Sequence, residues 1–323
     1  MVGYEKGAEV HLSQTEFVLA GAVAGIVSRF ISQPLDVLKV KFQLQVEPIK
    51  TNRFSKYHAV GQAFRTIWKE EGLRALWLGH NPGQLLSISY GAVNFTSFEF
   101  FTKVSQQHLS IPRSPQSNFL CGMASGTLAT TVSYPFDVLR TRFIAQGAKN
   151  VTSNSYRSML GGLLKMIKKE GVRAPFKGLL PALMQGAPLI GVSFTTHSFV
   201  KSVLDRYESM SKGSNRLNLS GNMIAGGAAG FVSKTAIYPL DLIRRRMQFQ
   251  GFQDARIGYG KNFTCWGLVH CVRVTVAEEG VRGLFKGYIP SAVKTTISTS
   301  LYFTAYEQTC DLIGLLHDLH VSD

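Results

Sequence analysis

The chain has 323 residues, 45% of them hydrophobic, and a formal net charge of +15 at neutral pH. Length alone allows two soluble domains or one membrane bundle, whereas the charge points to nucleic acid or to an anionic membrane with anionic solutes. Four cysteines, Cys121, Cys265, Cys271 and Cys310, show no CxxC spacing, which argues against a zinc site or a disulfide framework.

In chain order, the N-terminus carries Glu5 and Glu9 without an Arg-rich amphipathic pattern, so no cleavable presequence is expected. A helix is expected from about Phe17 to Gln45, most apolar from Ala20 to Ile31 and interrupted by Ser28, Arg29, Gln33, Asp36 and Lys39. A lipid-exposed helix holds such charges at high cost, but one with a face on a water-filled path does not. From Tyr57 to Lys69, Val60, Phe64, Ile67 and Trp68 recur at helical spacing with bases opposite, a pattern for lying on a membrane surface. A third helix is expected from Pro82 to about Lys103. The order returns as Phe119 to Ala145, Tyr156 to Lys168 and Pro181 to Val203. It returns again as Met223 to Phe249, Phe263 to Ala277 and Pro290 to Ile313. Ser209 to Asn218 reads as a polar linker and Gly251 to Lys261 as a Gly-rich loop.

The recurrence has a fixed signature. Pro34, Asp36, Lys39 and Lys41 return as Pro135, Asp137, Arg140 and Arg142, then as Pro239, Asp241, Arg244 and Arg246, with the prolines 101 and 104 residues apart. That distance suits three supersecondary units in one fold. Before each proline stands a glycine pair, Gly21 and Gly25, Gly122 and Gly126, Gly226 and Gly230, spaced for close helix packing. After it come Glu71, Gly72, Trp77 and Gly79; Glu170, Gly171, Phe176, Lys177 and Gly178; Glu279, Gly280, Phe285, Lys286 and Gly287. These residues resemble the signature of the mitochondrial carrier family, with one departure, Leu78 where a base is usual. The resemblance implies an all-α membrane protein of six tilted transmembrane helices in three pseudosymmetric repeats, residues 14–107, 115–208 and 219–316 of a single domain. Three short surface helices would lie on the matrix side of the inner mitochondrial membrane. Bases between the paired helices, among them Arg65, Lys69, Arg74, Lys165, Lys168, Lys169, Arg273 and Arg282, suit that side by the positive-inside rule.

No nucleophile and base pair, carboxylate dyad or phosphate loop is evident, so no enzyme, cofactor or metal site is expected. His317 and His320, one helical turn apart, lack further ligands. Asp36 and Lys39 share a helix face, as do Asp137 with Arg140 and Asp241 with Arg244. The resemblance pairs Asp36 with Arg140, Asp137 with Arg244 and Asp241 with Lys39 as a matrix gate. Gln43 and Gln248 brace that ring, and Ile144 departs from the pattern. The opposite, cytoplasmic gate survives only as Glu99, Lys201 and Glu307, without a base at Thr102, an acid at Ser198 or a base at Cys310.

Arg29 stands seven residues before Asp36, close to two helical turns, and so faces the same path. Lys234 stands likewise before Asp241, while Thr130 breaks the symmetry in the middle repeat. On the even helices Lys294 follows Gly287 by seven residues, where Leu86 and Gln185 stand elsewhere. Arg29, Lys234 and Lys294 suit a di- or triphosphate group, leaving Gln84, Ser87, Tyr90, Asn94 and Gln185 to read an organic part. Spacing alone says phosphorylated anion. The runs GQLLSISYGAVNF, YPFDVLRTRFIAQG and YPLDLIRRRMQFQGFQDAR resemble members of the family that carry thiamine pyrophosphate, which implies import by exchange for a (deoxy)nucleotide or similar anion. Coenzyme A and adenine nucleotides are the alternative solutes. Cardiolipin at the helix starts after Gly79, Gly178 and Gly287, a monomeric state and no nucleic acid are also expected. A basic helical scaffold for nucleic acid is the rival class, opposed by the apolar Gly-rich segments near Ala20, Cys121 and Ala225, which lack polar faces.

Overall fold

The computed structural model describes residues 13–46, 56–107, 114–147, 156, 158–210, 217–253 and 262–321. The first unit contains α1 (Gln14–Leu44), α2 (Val60–Glu71) and α3 (His80–Gln107). The second contains α4 (Pro115–Gln146), α5 (Met159–Glu170), α6 (Leu179–Met184) and α7 (Gly186–Met210). The third contains α8 (Leu217–Gln248), α9 (Leu268–Glu279) and α10 (Tyr288–Val321). A short 3-10 turn links each middle helix to the next: Leu73–Trp77, Ala174–Phe176 and Val281–Phe285.

Local chemistry sets the helix starts. Ser13 and Glu16 form a reciprocal capping box on α1, and Ser114 caps α4 with Pro115 in its first turn, where no backbone donor is needed. Each long signature helix continues through its proline. The helices pair as α3 with α4, α7 with α8, and α1 with α10, so the first and last helices close the bundle into a ring.

Burial is concentrated at one end. From residue 33 to residue 46, α1 and the residues just after it are almost wholly buried, whereas from residue 15 to residue 31 only every fourth position is. Val37, Leu38, Leu44, Val138, Leu139, Ile144 and Phe249 join Tyr57, Ile67 and Met166 in a solid floor. At the other end Ile26, Phe95, Leu120, Phe194 and Phe303 project outward, as lipid-facing side chains do. On hydropathy alone, among the described residues only the segments 15–44 and 174–204 are long and apolar enough to cross a membrane. Residues 80–98 of α3 and 115–136 of α4 carry no Asp, Glu, Lys or Arg, so these helices miss that mark through their Gly, Ser, Thr, Asn and Pro content.

Four sequence expectations need correction or delimitation. The second even helix is not continuous: it breaks at Gln185 between α6 and α7. Part of the expected 209–218 linker is helical, with 211–216 outside the described residues, as are Glu5, Glu9, residues 254–261 and the side chains of His317 and His320. Gly25, Gly122, Gly226 and Gly230 have open space where a Cβ would point, so the close packing expected of them is absent in the splayed half of the bundle. Cys265 and Cys271 are joined as a disulfide. Their six-residue separation carries no familiar motif, but the turn through Gly267 into α9 folds Cys265 back over the first helical turn.

Candidate functional site

On the buried floor the signature acids interlock across repeats. Arg140 pairs with Asp36, Arg244 with Asp137 at 2.7 Å and Lys39 with Asp241 at 2.7 Å. Gln43 Nε2 donates to Asp241 at 3.1 Å and to the Tyr238 hydroxyl, and Gln248 Nε2 donates to Asp137 and the Tyr134 hydroxyl. Ile144 is fully buried and apolar at the third such position. Buried pairs of this kind are costly where lone pairs and protons go unsatisfied. Each glutamine amide adds a donor to one acid, while Gln43 Oε1 and the Nε atoms of Arg140, Arg244 and Arg245 have no partner among the described residues. Two further bases join, which sequence reasoning did not place in the ring. Arg245 Nη1 reaches Asp137 Oδ1 at 2.9 Å, and Lys294 Nζ reaches Asp36 Oδ1 at 2.7 Å. Arg245 lies one residue off the i, i+3 face, so spacing alone pointed it elsewhere.

A second tier lies beneath. Lys41 pairs with Glu71, Arg142 with Glu170 and Arg246 with Glu279, across 30, 28 and 33 residues. Lys177 adds to Glu170 at 2.6 Å and Lys286 to Glu279 at 2.7 Å. Arg142 and Arg246 are buried and also donate to the Gln248 and Gln43 carbonyls, at 3.0 and 3.2 Å, stitching each repeat to its neighbour. Burial works against the charge on Glu170, yet hydrogen bonds from Arg142 and Lys177 hold its carboxyl below the usual range. The repeated interval from the second base to Glu-Gly was the available sequence signal for this tier.

The repeats also meet through backbone. Gly79, Gly178 and Gly287 have φ of 77°, 83° and 77°, in the left-handed region. A Cβ there would come within 3.0 Å of the Arg140 carbonyl, 2.9 Å of Arg244's and 3.0 Å of Lys39's. Each glycine thus lets its helix start press on the base-bearing turn of the next repeat. The residue before each signature proline seals the joint: Gln33, Tyr134 and Tyr238 donate to the carbonyls of Leu78, Lys177 and Lys286 at 2.9, 3.2 and 2.7 Å.

The family model described as mitochondrial carrier protein matches residues 11–109, 112–208 and 215–315, one match per structural repeat. The chain belongs to the mitochondrial carrier family. Over 314 residues it is 41% identical to the mitochondrial thiamine pyrophosphate carrier of Bos taurus, covering 96% of this chain and 97% of that protein. Over 321 residues it is 40% identical to the protein of that name from Homo sapiens, with 98% of each covered. To the mitochondrial thiamine diphosphate carrier 2 of Zea mays it is 34% identical, covering 92% and 93%. As a family member it is a multi-pass transport protein of the mitochondrial inner membrane.

Above that floor the carrier has a path of connected recesses. One, of about 470 Å³, is lined by Arg29, Asp36, Gln84, Ser87 and Lys294 among others. Ser87 is shared with a second recess of about 320 Å³ that holds Tyr90, Thr130 and Arg244. Tyr90 and Thr130 are shared with a third, of about 300 Å³, that reaches Asn94. Arg29 donates to the Gly83 carbonyl, and Lys234 donates to the Ser291 carbonyl at 2.7 Å and to Thr295. These are equivalent bonds in repeats one and three, each to the first turn of the even helix. Arg29 and Lys294 share a recess whose lining does not include Lys234, which lies near enough to Lys294 for the two charges to interact. Asn94 accepts from Ser125 at 3.1 Å, and Gln185 has a buried Nε2 without a partner among the described residues. At the end away from the floor Glu99, Lys201 and Glu307 make no ion pair among the described residues, and Thr102 bonds its own helix at Phe98.

Proposed function

We propose that this carrier brings thiamine pyrophosphate into the matrix by alternating access, in exchange for a (deoxy)nucleotide or similar phosphorylated anion. The observation that carries the reading is the pair Arg29 and Lys294 on one recess directly above the paired acids, in a chain whose near full-length relatives bear that carrier's name. A guanidinium and an ammonium offer a pyrophosphate charge-assisted bonds in a half-dry site. Lys294 then exchanges its bond to Asp36 for a phosphate oxygen, while Arg140 keeps Asp36 paired. Gln84, Ser87, Tyr90, Asn94 and Gln185 read the organic part, and Lys234 is a third cation farther along the path. Asp36, Lys39, Asp137, Arg140, Asp241 and Arg244, braced by Gln43 and Gln248, form the matrix gate; Glu99, Lys201 and Glu307 are what remains of the cytoplasmic gate. The carrier works as a monomer of one domain, catalyses no reaction, needs no cofactor or nucleic acid, and is surrounded by cardiolipin at the helix starts after Gly79, Gly178 and Gly287.

Uptake of labelled thiamine pyrophosphate into liposomes loaded with unlabelled ester tests this. Exchange of coenzyme A or adenine nucleotide without exchange of thiamine pyrophosphate would overturn the solute. Lys294→Ala and Arg29→Ala should each cost about 1.5–3 kcal/mol, or one to two decades in affinity. The loss should be larger for thiamine pyrophosphate than for thiamine monophosphate, which has fewer anionic oxygens. Arg65→Ala on α2 is the control. Equal weakening of both esters would remove Lys294 from the pyrophosphate site.

A further inference from the structure

The short helices α2, α5 and α9 are entered in one way, and the third entry departs from it. A buried ring, Tyr57, Tyr156 or Phe263, stands before each helix with its backbone N–H and carbonyl both bonded to one glutamine side chain, Gln45, Gln146 or Gln253. Eight residues before the glutamate of the lower tier, each helix buries a small residue: Ala63, Gly162 and Cys271. Ring and small residue are six positions apart in repeats one and two and eight apart in repeat three, so α9 has two extra residues to fold into its entry. Side chains hold the shorter entries. Gln62 accepts from the His58 N–H at 3.1 Å and donates to the Lys56 carbonyl at 2.9 Å, and Ser158 caps α5 through the Gly161 N–H. The longer entry has Gly267 at the cap position, with no side-chain bond, and is held by the Cys265–Cys271 disulfide instead.

That entry closes on Arg246. Phe263, two residues before Cys265, places its ring 5.7 Å from the Arg246 guanidinium carbon. Thr275, four residues after Cys271, donates to the Cys271 carbonyl at 2.7 Å and accepts from Arg246 Nη1 at 2.8 Å. Arg246 in turn pairs with Glu279 and donates to the Gln43 carbonyl, so closure of this entry bears on the joint between repeats three and one. The two sulfurs differ in access, Cys265 being half-buried and Cys271 fully buried.

We propose that Cys265 and Cys271 are a redox modification site, a dithiol–disulfide couple that exchanges with glutathione, tightening the clasp on Arg246 when oxidised and loosening it when reduced. In a compartment where glutathione keeps thiols reduced, a disulfide is usually a sensing one and not a permanent staple. For reduction, a glutathione thiolate attacks the accessible Cys265 sulfur, the protein S–S bond breaks, and Cys271 leaves as a thiolate that takes up a proton. A second glutathione thiolate then attacks the glutathione sulfur of the mixed disulfide and releases Cys265. Two glutathione thiols thus become one glutathione disulfide as the protein gains two thiols, and oxidation by glutathione disulfide is the reverse. The proposal rests on the proposed function only in placing α9 on the matrix side; the clasp itself does not depend on it.

Two measurements on the full-length carrier in detergent test it. After equilibration with mixtures of reduced and oxidised glutathione, acid quenching and unfolding, free thiols are counted by mass tagging. Two tags, on Cys121 and Cys310, should rise to four as the mixture becomes more reducing. Reduction should also lower the melting temperature by about 5 °C. The carrier with Cys265→Ser and Cys271→Ser should melt where the reduced wild type does, whatever the glutathione ratio. In Arg246→Ala the shift on reduction should be about half as large or less, because the clasped side chain is gone. Should that variant fail to fold, the tag count and the serine pair still decide. Two tags in excess reduced glutathione would make the bond a permanent staple, and four at every ratio would mean that it does not form. Either overturns the proposal, as does a melting shift undiminished in Arg246→Ala. Neither tagging nor melting needs a solute, so a carrier that fails to exchange thiamine pyrophosphate would sink that reading and leave the couple standing.

Discussion

The two ends of the bundle are made from the same helices and differ in how they are held. At the matrix end, acids and bases from all three repeats are buried, paired and braced, and backbone presses on backbone at Gly79, Gly178 and Gly287. At the cytoplasmic end, Glu99, Lys201 and Glu307 make no ion pair among the described residues, and the nearby helix glycines face open space. A buried charge network has two levels, fully satisfied or costly, so it can act as a latch. An end with few chargeable partners closes by packing alone and opens more readily.

Breaking the strong end should have the largest effect. Arg246→Ala removes the bonds to Glu279 and to the Gln43 carbonyl while Lys286 keeps Glu279 paired, and should cost about 2–4 kcal/mol. A melting temperature close to that of wild type would mean that the floor does not hold the fold. Next comes the backbone joint: Gly287→Ala forces a Cβ to within 3.0 Å of the Lys39 carbonyl at a φ of 77° and should cost on the order of 1–3 kcal/mol. Gly226→Ala, which meets nothing within 4 Å, should be neutral or stabilising by up to about 1 kcal/mol. Equal melting of the two variants would erase the contrast between the ends.

Strengthening the weak end should do less. Thr102→Lys places a base three residues after Glu99, and Cys310→Lys one three residues after Glu307. A partly exposed pair contributes about 0.2–1 kcal/mol, so Thr102→Lys should slow exchange by no more than about fivefold, with altered sidedness of inhibition. Cys310 is buried, so its lysine adds a desolvation cost that opposes the pairing. Unchanged kinetics in both would count against a charge-based outer gate. Mild acid should do least. Glu170 is held below its ordinary value of 4.5, so its contribution is fully present above that pH and is lost only as pH falls through the lower folded value. Wild type should keep its melting advantage over Glu170→Gln down to that point, and an advantage already shrinking at about pH 6 would contradict the pairing.

Much of the matrix end was legible because it is written in helical periodicity. Asp36, Asp137 and Asp241 each repeat with a base at i+3, and the structure pairs them across repeats. What escaped was fixed by docking between elements. The partners of Lys41, Arg142 and Arg246 come from helices about thirty residues away, whose placement no local period encodes. Arg245 is turned inward by Thr141 and Gln248 of the packed ring. Lys294 was legible as a path-facing cation, but its bond to Asp36 depends on how α10 closes against α1. The bonding of Cys265 to Cys271 and the break at Gln185 follow from turn geometry that carries no sequence signature.

The contrast between the ends is tested most directly by asking which side of the membrane reaches the path without solute. Ser87→Cys, in a carrier whose native cysteines are replaced by serine, places one thiol between the two recesses above the ring. With an impermeant thiol reagent, that cysteine should react from the cytoplasmic side and be shielded from the matrix side until a variant such as Asp137→Arg breaks the ring. Equal reaction from the matrix side with the ring intact would contradict the account.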